Sequence, residues 1–317
     1  MIKLGLIGCG YWGKNYVNSI QNIPHLSLKY VYDKALPSIP IPQNIIFTQN
    51  LDDILNDKEI KGVIIAIPTQ YIFEVTKKCL EAKKHVLMEK PMTNSSKKAR
   101  ELIDLAKKNN VKLMIGHIFS HHPSIKKLKE IIDSGEIGKI LHIYSVRAAP
   151  GPVRNADEIN VLWDLAPHDL SIFLYLLNKK PDKIRGYSSD FLRPGIIDSA
   201  SFSLKFGDVL AEAHVRWWDA EKNRSLLVIG SEKIAVFNDL ANEKLKIYNK
   251  KVVLVPKTKI IDEGYYVPIV NNTSPLENQC RHFAECIEKN KNPLTDGENG
   301  FEVVKLLEDI EKSFKKF

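Results

Sequence analysis

No stretch of the 317-residue chain approaches the roughly 20 consecutive apolar residues a membrane-crossing helix needs. The first apolar stretch, Ile2-Lys3-Leu4-Gly5-Leu6-Ile7, is short and broken by glycine, which suits a buried strand and not a signal peptide. Cysteine is scarce. Cys9, Cys79, Cys280 and Cys286 form no CxxC pair and no metal-ligand spacing, so neither a disulfide scaffold nor a metal site is expected. Reduced thiols in a cytoplasmic protein are the reading. Repeats and low-complexity tracts are absent, as is an arginine-rich arm. The basic and aromatic residues do not interleave as they do in single-strand nucleic-acid binders. The net charge of +8 therefore reads as a solvated lysine-rich surface, and neither nucleic acid nor membrane is an expected partner.

What is present is ordinary for a globular protein: 44% hydrophobic and 26% charged residues. The length is too great for one ordinary core and implies two domains. The opening strand runs straight into Gly8-Cys9-Gly10-Tyr11-Trp12-Gly13 and then a helical segment. In a GxGxxG turn the first glycine makes the bend, and the second lets backbone approach a pyrophosphate. The third lets the helix pack on the strand, and the helix N-terminus offers N–H donors to phosphate. A second apolar strand, Leu28 to Tyr32, ends in Asp33, 20 residues past Gly13, where a carboxylate can accept bonds from a ribose diol. Asp33 would repel a 2′-phosphate, so NAD is expected over NADP; Lys34 beside it works the other way. Tyr11 and Trp12 sit within the same turn.

Strands and helices then alternate. Gly62–Ile67 is a continuous apolar strand ending at Pro68-Thr69, and His85–Met88 is another, ending in Glu89-Lys90-Pro91. Helices are expected over 71–82 and 95–109, with a last strand at 112–115, giving a doubly wound parallel sheet. Ligands bind at the carboxyl ends of such strands. Pro91 forces Lys90 into an extended conformation, which fixes its aim. A lysine so held can polarise a substrate oxygen, although a plain loop lysine would fit the same residues.

A helix over 122–134 leads to an alternating strand from Lys139 to Arg147. The loop 148–162 follows, carrying Pro150, Gly151, Pro152, Arg154 and Asn160. Loops placed like this carry substrate contacts. Arg147 and Arg154 are candidates for an anionic group, with Asn160 beside them. The loop enters Trp163-Asp164-Leu165-Ala166-Pro167-His168-Asp169-Leu170, where Pro167 suits a first helical turn. If the turn containing Asp164 is already helical, Asp164 lies one turn from His168 on one face. It could then hold the imidazole in one tautomer, as a general base requires. A helix start with a capping Asp and a polar His fits equally well. Strands are expected at 183–188, 199–206, 209–217, 225–229, 233–237, 244–248 and 252–255. Trp217 and Trp218 should face opposite sides of their strand. Helices over 275–288 and 298–314 close the chain.

Taken together these motifs resemble the Gfo/Idh/MocA oxidoreductases, over essentially the whole chain. The points of resemblance are Gly8 to Gly13, Ala66-Ile67-Pro68-Thr69, Glu89-Lys90-Pro91, and Asp164 with His168. The resemblance implies an N-terminal Rossmann domain (1–119) and a C-terminal α+β domain (120–317). The second domain should carry a large, mostly antiparallel open sheet whose open face makes a homodimer or homotetramer. It implies NAD at Ile67, Pro68, Thr69, Glu89 and Lys90, and Lys90, His168 and Asp164 as the catalytic set. The substrate hydroxyl would lie between Lys90 and His168. Residues 8–15 and 161–169 look like a subgroup from nucleotide-sugar pathways, implying oxidation of a UDP-N-acetylhexosamine to a 3-keto sugar. Other readings are a dehydrogenase of a free sugar or inositol, and a glycosidase or epimerase using NAD transiently. A non-catalytic NAD-binding regulator would need none of Lys90, Asp164 and His168.

Overall fold

The computed structural model describes residues 1–151, 159–254 and 258–315. It divides into one unit of Met1–His121 with Thr273–Lys305 and another of His122–Asn272 with Leu306–Phe317.

The first unit begins β1 (Ile2–Ile7), α1 (Gly13–Gln21), β2 (Leu26–Tyr32), β3 (Ile46–Thr48), α2 (Asp52–Leu55) and β4 (Ile60–Ile65). It continues α3 (Thr69–Glu81), β5 (His85–Met88), α4 (Ser96–Lys108) and β6 (Leu113–Ile115). The six strands are all parallel, in the order β3-β2-β1-β4-β5-β6. Val63, Ile64 and Ile65 are fully buried, as strands covered on both faces must be, which explains their unbroken apolar run. The strand order turns back between β1 and β4. That switch point opens a crevice at the carboxyl ends, where the glycine turn lies.

The second unit runs α5 (Pro123–Asp133), β7 (Ile140–Ala148), α6 (Val161–Leu177), β8 (Lys183–Ser189), β9 (Ser199–Phe206) and β10 (Val209–Arg216). Then come β11 (Asn223–Gly230), β12 (Ile234–Asn238), β13 (Leu245–Leu254) and β14 (Thr258–Tyr266). Of the other elements, the short 3-10 turn Ile118–His121 and α7 (Pro275–Glu288) fall in the first unit, α8 (Gly297–Ser313) starts in the first and ends in the second, and the two-residue strand β15 (Phe314–Lys315) is in the second. The nine-stranded sheet has the order β14-β13-β12-β11-β7-β10-β9-β8-β15. It is antiparallel except at β10–β7 and β15–β8. Strict alternation along β9 buries Ala200, Phe202, Leu204 and Phe206 on one face, as β10 buries Ala211, Ala213 and Val215. The other face carries Tyr144, Tyr187, Glu212 and His214 in partial exposure.

Three expectations are corrected. The two strands expected at 244–248 and 252–255 are joined in one ten-residue strand, β13 (Leu245–Leu254), carried across its polar middle by pairing with β14, which the sequence reading lacked; residue 255 lies outside the described residues. Lys250 Nζ meets Asp262 at 2.8 Å there, so charges that read as a break are cross-strand partners. Pro167 is not in a first turn. It lies inside α6, which begins six residues earlier at Val161. Finally, α7 belongs to the first unit, where Gln279 Nε2 donates to the Tyr16 hydroxyl at 3.0 Å.

Candidate active site

The glycine turn of the first unit is shaped by what it cannot hold. Gly8 has φ +93°, and a Cβ there would lie 2.4 Å from the Ala66 carbonyl oxygen. A Cβ on Gly13 would lie 2.0 Å from the Gly8 carbonyl oxygen, so the start of α1 closes directly on the turn. A Cβ built on Gly10 would meet no atom within 4 Å, which leaves an open approach to the backbone beside the helix N-terminus. Asp33, at the end of β2, accepts the Cys9 N–H at 2.7 Å through Oδ2 and the Ala35 N–H at 3.3 Å through Oδ1. Each oxygen retains a lone pair for a diol. The Lys34 ammonium lies over the Tyr71 ring, 4.7 Å from its centroid. Pro68 caps α3, with Thr69 its first residue and Ile67 half-buried just before it. These residues fit a dinucleotide: an open glycine, a helix N-terminus and a fixed carboxylate.

At the end of β5, Glu89 N–H donates to the Ile65 carbonyl at 2.9 Å, which continues the sheet one residue further. The Glu89 carboxylate gathers the site. Its Oε1 accepts from the Trp12 indole at 2.5 Å and from the Tyr16 hydroxyl at 2.6 Å; its Oε2 accepts the Lys90 N–H at 3.3 Å. A Cβ on Gly116 would sit 3.2 Å from that carboxylate, so glycine makes the room. Burial holds the Glu89 carboxyl above the usual range, against the opposing pull of Tyr16, Lys90 and Trp12. Burial, then the Glu89 charge, pushes the Tyr16 hydroxyl well up. Lys90 precedes Pro91 through a cis peptide. Register places His117 beside it, for each stands two residues beyond the paired Met88 and Ile115. His117 is buried, and burial, with the Lys90 charge adding, pushes it down to about 3.

In the second unit α6 is capped by Asn160, whose side chain accepts the Trp163 N–H at 3.2 Å and donates to Glu311 Oε1 at 2.8 Å. The cap starts the helix early enough that Asp164 and His168 stand four residues apart on one half-buried face. Asp164 Oδ2 accepts the Trp217 indole N–H at 3.0 Å. The Nδ1 of His168 is enclosed, and the His168 carbonyl accepts from Ser171 Oγ at 2.8 Å. Arg147, expected to meet a substrate anion, is 5% exposed and grips Asp169 of α6 twice, Nε to Oδ2 at 3.0 Å and Nη2 to Oδ1 at 3.2 Å. Arg154 lies outside the described residues. Lys90 belongs to the first unit, and Asp164 and His168 to the second.

Sequence reasoning missed Tyr16, His117, Asp169 and Trp217. Tyr16 and His117 carried a weak signal, one lying on the helix after the glycine turn and the other just past a strand's carboxyl end. Asp169 and Trp217 carried none, because their partners lie 22 and 53 residues away.

Residues 2–117 match the model of an oxidoreductase family with an NAD-binding Rossmann fold, and residues 125–236 match the GFO/IDH/MocA C-terminal domain. UDP-N-acetylglucosamine 3-dehydrogenase of Acidithiobacillus ferrooxidans is 28% identical over 80% of this chain and 79% of its own length. Myo-inositol 2-dehydrogenase of Thermotoga maritima is 23% identical over 94% and 92%. The crystal structure of a putative oxidoreductase from Magnetospirillum magnetotacticum superposes with a TM-score of 0.84 at 27% identity, covering 97% of this chain and 98% of that one.

Proposed function

The chain belongs to the Gfo/Idh/MocA oxidoreductase family, and from that premise we propose that it is an NAD-dependent dehydrogenase acting on a ring hydroxyl of a UDP-N-acetylhexosamine, at C3. The observations that carry the reading are a dinucleotide cradle in the first unit and, within the second, a carboxylate and an imidazole one turn apart on α6. Support for the nucleotide sugar comes from the 28% identical relative named for that substrate.

In this reading Gly10 and the N-terminus of α1 receive the pyrophosphate, and Asp33 receives the adenosine ribose diol. NAD is favoured over NADP because Asp33 faces the diol while the Lys34 charge is drawn onto Tyr71. The bound nicotinamide supplies a hydride acceptor. His168 takes the hydroxyl proton, and Lys90 stabilises negative charge developing on the oxygen. Asp164, anchored by Trp217, holds the α6 face on which His168 stands. The half-exposed face of the nine-stranded sheet, with Tyr144 and Tyr187, is the surface through which a homodimer or homotetramer would form.

The test is the product mass after incubation of the protein with UDP-N-acetylglucosamine, NAD and a carbonyl trap. A trapped product two hydrogens lighter than substrate supports the reading, and the trap guards against an unfavourable equilibrium. Without such a product, free sugars and inositols come next. The relative named for myo-inositol favours that second reading, since it aligns along 94% of this chain.

A further inference from the structure

Where β10 ends, two adjacent tryptophans take opposite courses. Trp217 is buried and donates to Asp164 on α6. Trp218 turns outward and is 38% exposed. Its ring meets Phe191 edge-on, with centroids 5.8 Å apart and planes at 75°, and Phe191 is itself 74% exposed. Leu192 beside it is also exposed. A lone exposed aromatic is unremarkable; an anchored pair is not.

The anchor is Asp198, only 1% exposed. Its Oδ1 accepts the Trp218 indole N–H at 3.1 Å, and its Oδ2 accepts the backbone N–H of Leu192. Its carbonyl accepts the Trp217 N–H at 3.0 Å. One buried aspartate thus holds the Trp218 ring and the backbone next to Phe191 through its carboxylate, and the strand end through its carbonyl. The loop bearing Phe191 is closed on itself, because Asp190 Oδ2 accepts the Gly195 N–H at 2.6 Å. It is also joined to the start of α6, where the Val161 N–H donates to the Ile197 carbonyl at 3.0 Å. The platform is therefore rigidly tied to the helix that carries Asp164 and His168.

Resting on the nucleotide-sugar reading above, we infer that Trp218 and Phe191 form a stacking platform for the aromatic base of a nucleoside-diphosphate-linked substrate. Two rings and a leucine present far less apolar area than the roughly 800 Å² per partner of a stable protein interface. They match a single planar heterocycle, which stacks on one aromatic face and meets the other by its edge.

The test is calorimetric titration of UDP and of NAD into the parent, Trp218→Leu and Phe191→Leu. Phe191 is the more exposed and serves should Trp218→Leu fail to fold. Loss of one stacked base weakens binding by roughly 5- to 150-fold. The expected result is UDP affinity lowered within that range in both variants, NAD affinity unchanged, and quenching of parent tryptophan fluorescence by UDP that is reduced in Trp218→Leu. A parent that binds NAD but not UDP overturns the nucleotide reading and this inference with it. A parent that binds UDP, with both variants binding it equally well, overturns the platform alone. A change of oligomeric state in the variants with UDP affinity intact would assign the patch to a second copy of the chain and would also overturn it.

Discussion

Removing the Asp169 carboxylate should destabilise the second unit far more than an ordinary substitution. Arg147 of β7 and Asp169 of α6 are both buried and joined by two hydrogen bonds at 3.0 and 3.2 Å. Asp169→Ala leaves a guanidinium enclosed without that carboxylate, a change that costs about 3–5 kcal/mol. At about 2–4 °C per kcal/mol for a domain of this size, the melting temperature should fall by roughly 6–20 °C. The double variant Arg147→Met/Asp169→Leu removes both charges and fills the space, so it should recover most of the loss. Thermal melts followed by near-ultraviolet circular dichroism read the packing of the unit's aromatic residues directly. The reasoning is refuted if Asp169→Ala melts within about 2 °C of the parent, or if the double variant melts no higher than the single one. The pair also bears on substrate binding. If Arg147 serves only as the anchor of α6, a refolded double variant keeps the parent KM. If it also meets a substrate anion, KM rises while stability returns.

His168→Ala should leave NAD affinity nearly intact and lower turnover by about 10²–10⁴, as loss of a general base does; unchanged turnover would remove His168 from the chemistry. Gly13→Ala places a Cβ 2.0 Å from the Gly8 carbonyl oxygen, so NAD binding measured by calorimetry should be abolished while the second unit's sheet stays folded. His117 gives a pH signature. Its native value is pushed down to about 3 from an ordinary 6.5, so the unfolded chain takes a proton below about pH 6.5 that the native ring refuses. Stability from this residue is complete above that pH and is lost as pH falls through the window, by about 2 kcal/mol between pH 7 and pH 5. His117→Phe lacks that loss. Urea denaturation at both pH values should show the variant gaining on the parent in acid, and an equal response in both proteins would discard the account.

The first unit was largely legible because its signals are local. An apolar run, a glycine turn and a helix start follow one another within 13 residues, and Asp33 stands at the end of the next strand. Strict alternation made β9 and β10 equally plain. The failures share one cause: partners far away in sequence. Lys250 and Lys251 look like a break until β14 supplies Asp262 opposite, and β14 itself hides behind its polar Asp262-Glu263-Gly264. Asn160 was read as a substrate contact, and its second task, capping α6 ahead of Asp164 and His168 while bonded to distant Glu311, went unread. Arg147 was read as a candidate for a substrate anion, and nothing near it announces its burial or Asp169 on the next helix.

The four tryptophans show how such distant partners organise the candidate site. Each donates its indole N–H to a carboxylate: Trp12 to Glu89, Trp163 to Glu311, Trp217 to Asp164 and Trp218 to Asp198. A buried indole must find an acceptor, and a carboxylate gives a stronger, shorter bond than a neutral oxygen. An indole is also wide and has only two side-chain torsions, so it fixes its acceptor at little cost in conformational entropy. Three of the four carboxylates flank residues given a role here. Glu89 precedes Lys90, Asp164 stands one turn before His168, and Asp198 holds the platform of Phe191 and Trp218. The fourth, Glu311, holds Asn160 at the start of α6. Under the proposed function, the groups that would accept a proton and stabilise charge on oxygen each have an aromatic–carboxylate bond beside them within their own unit, and Trp→Phe at each position is the smallest change that removes one.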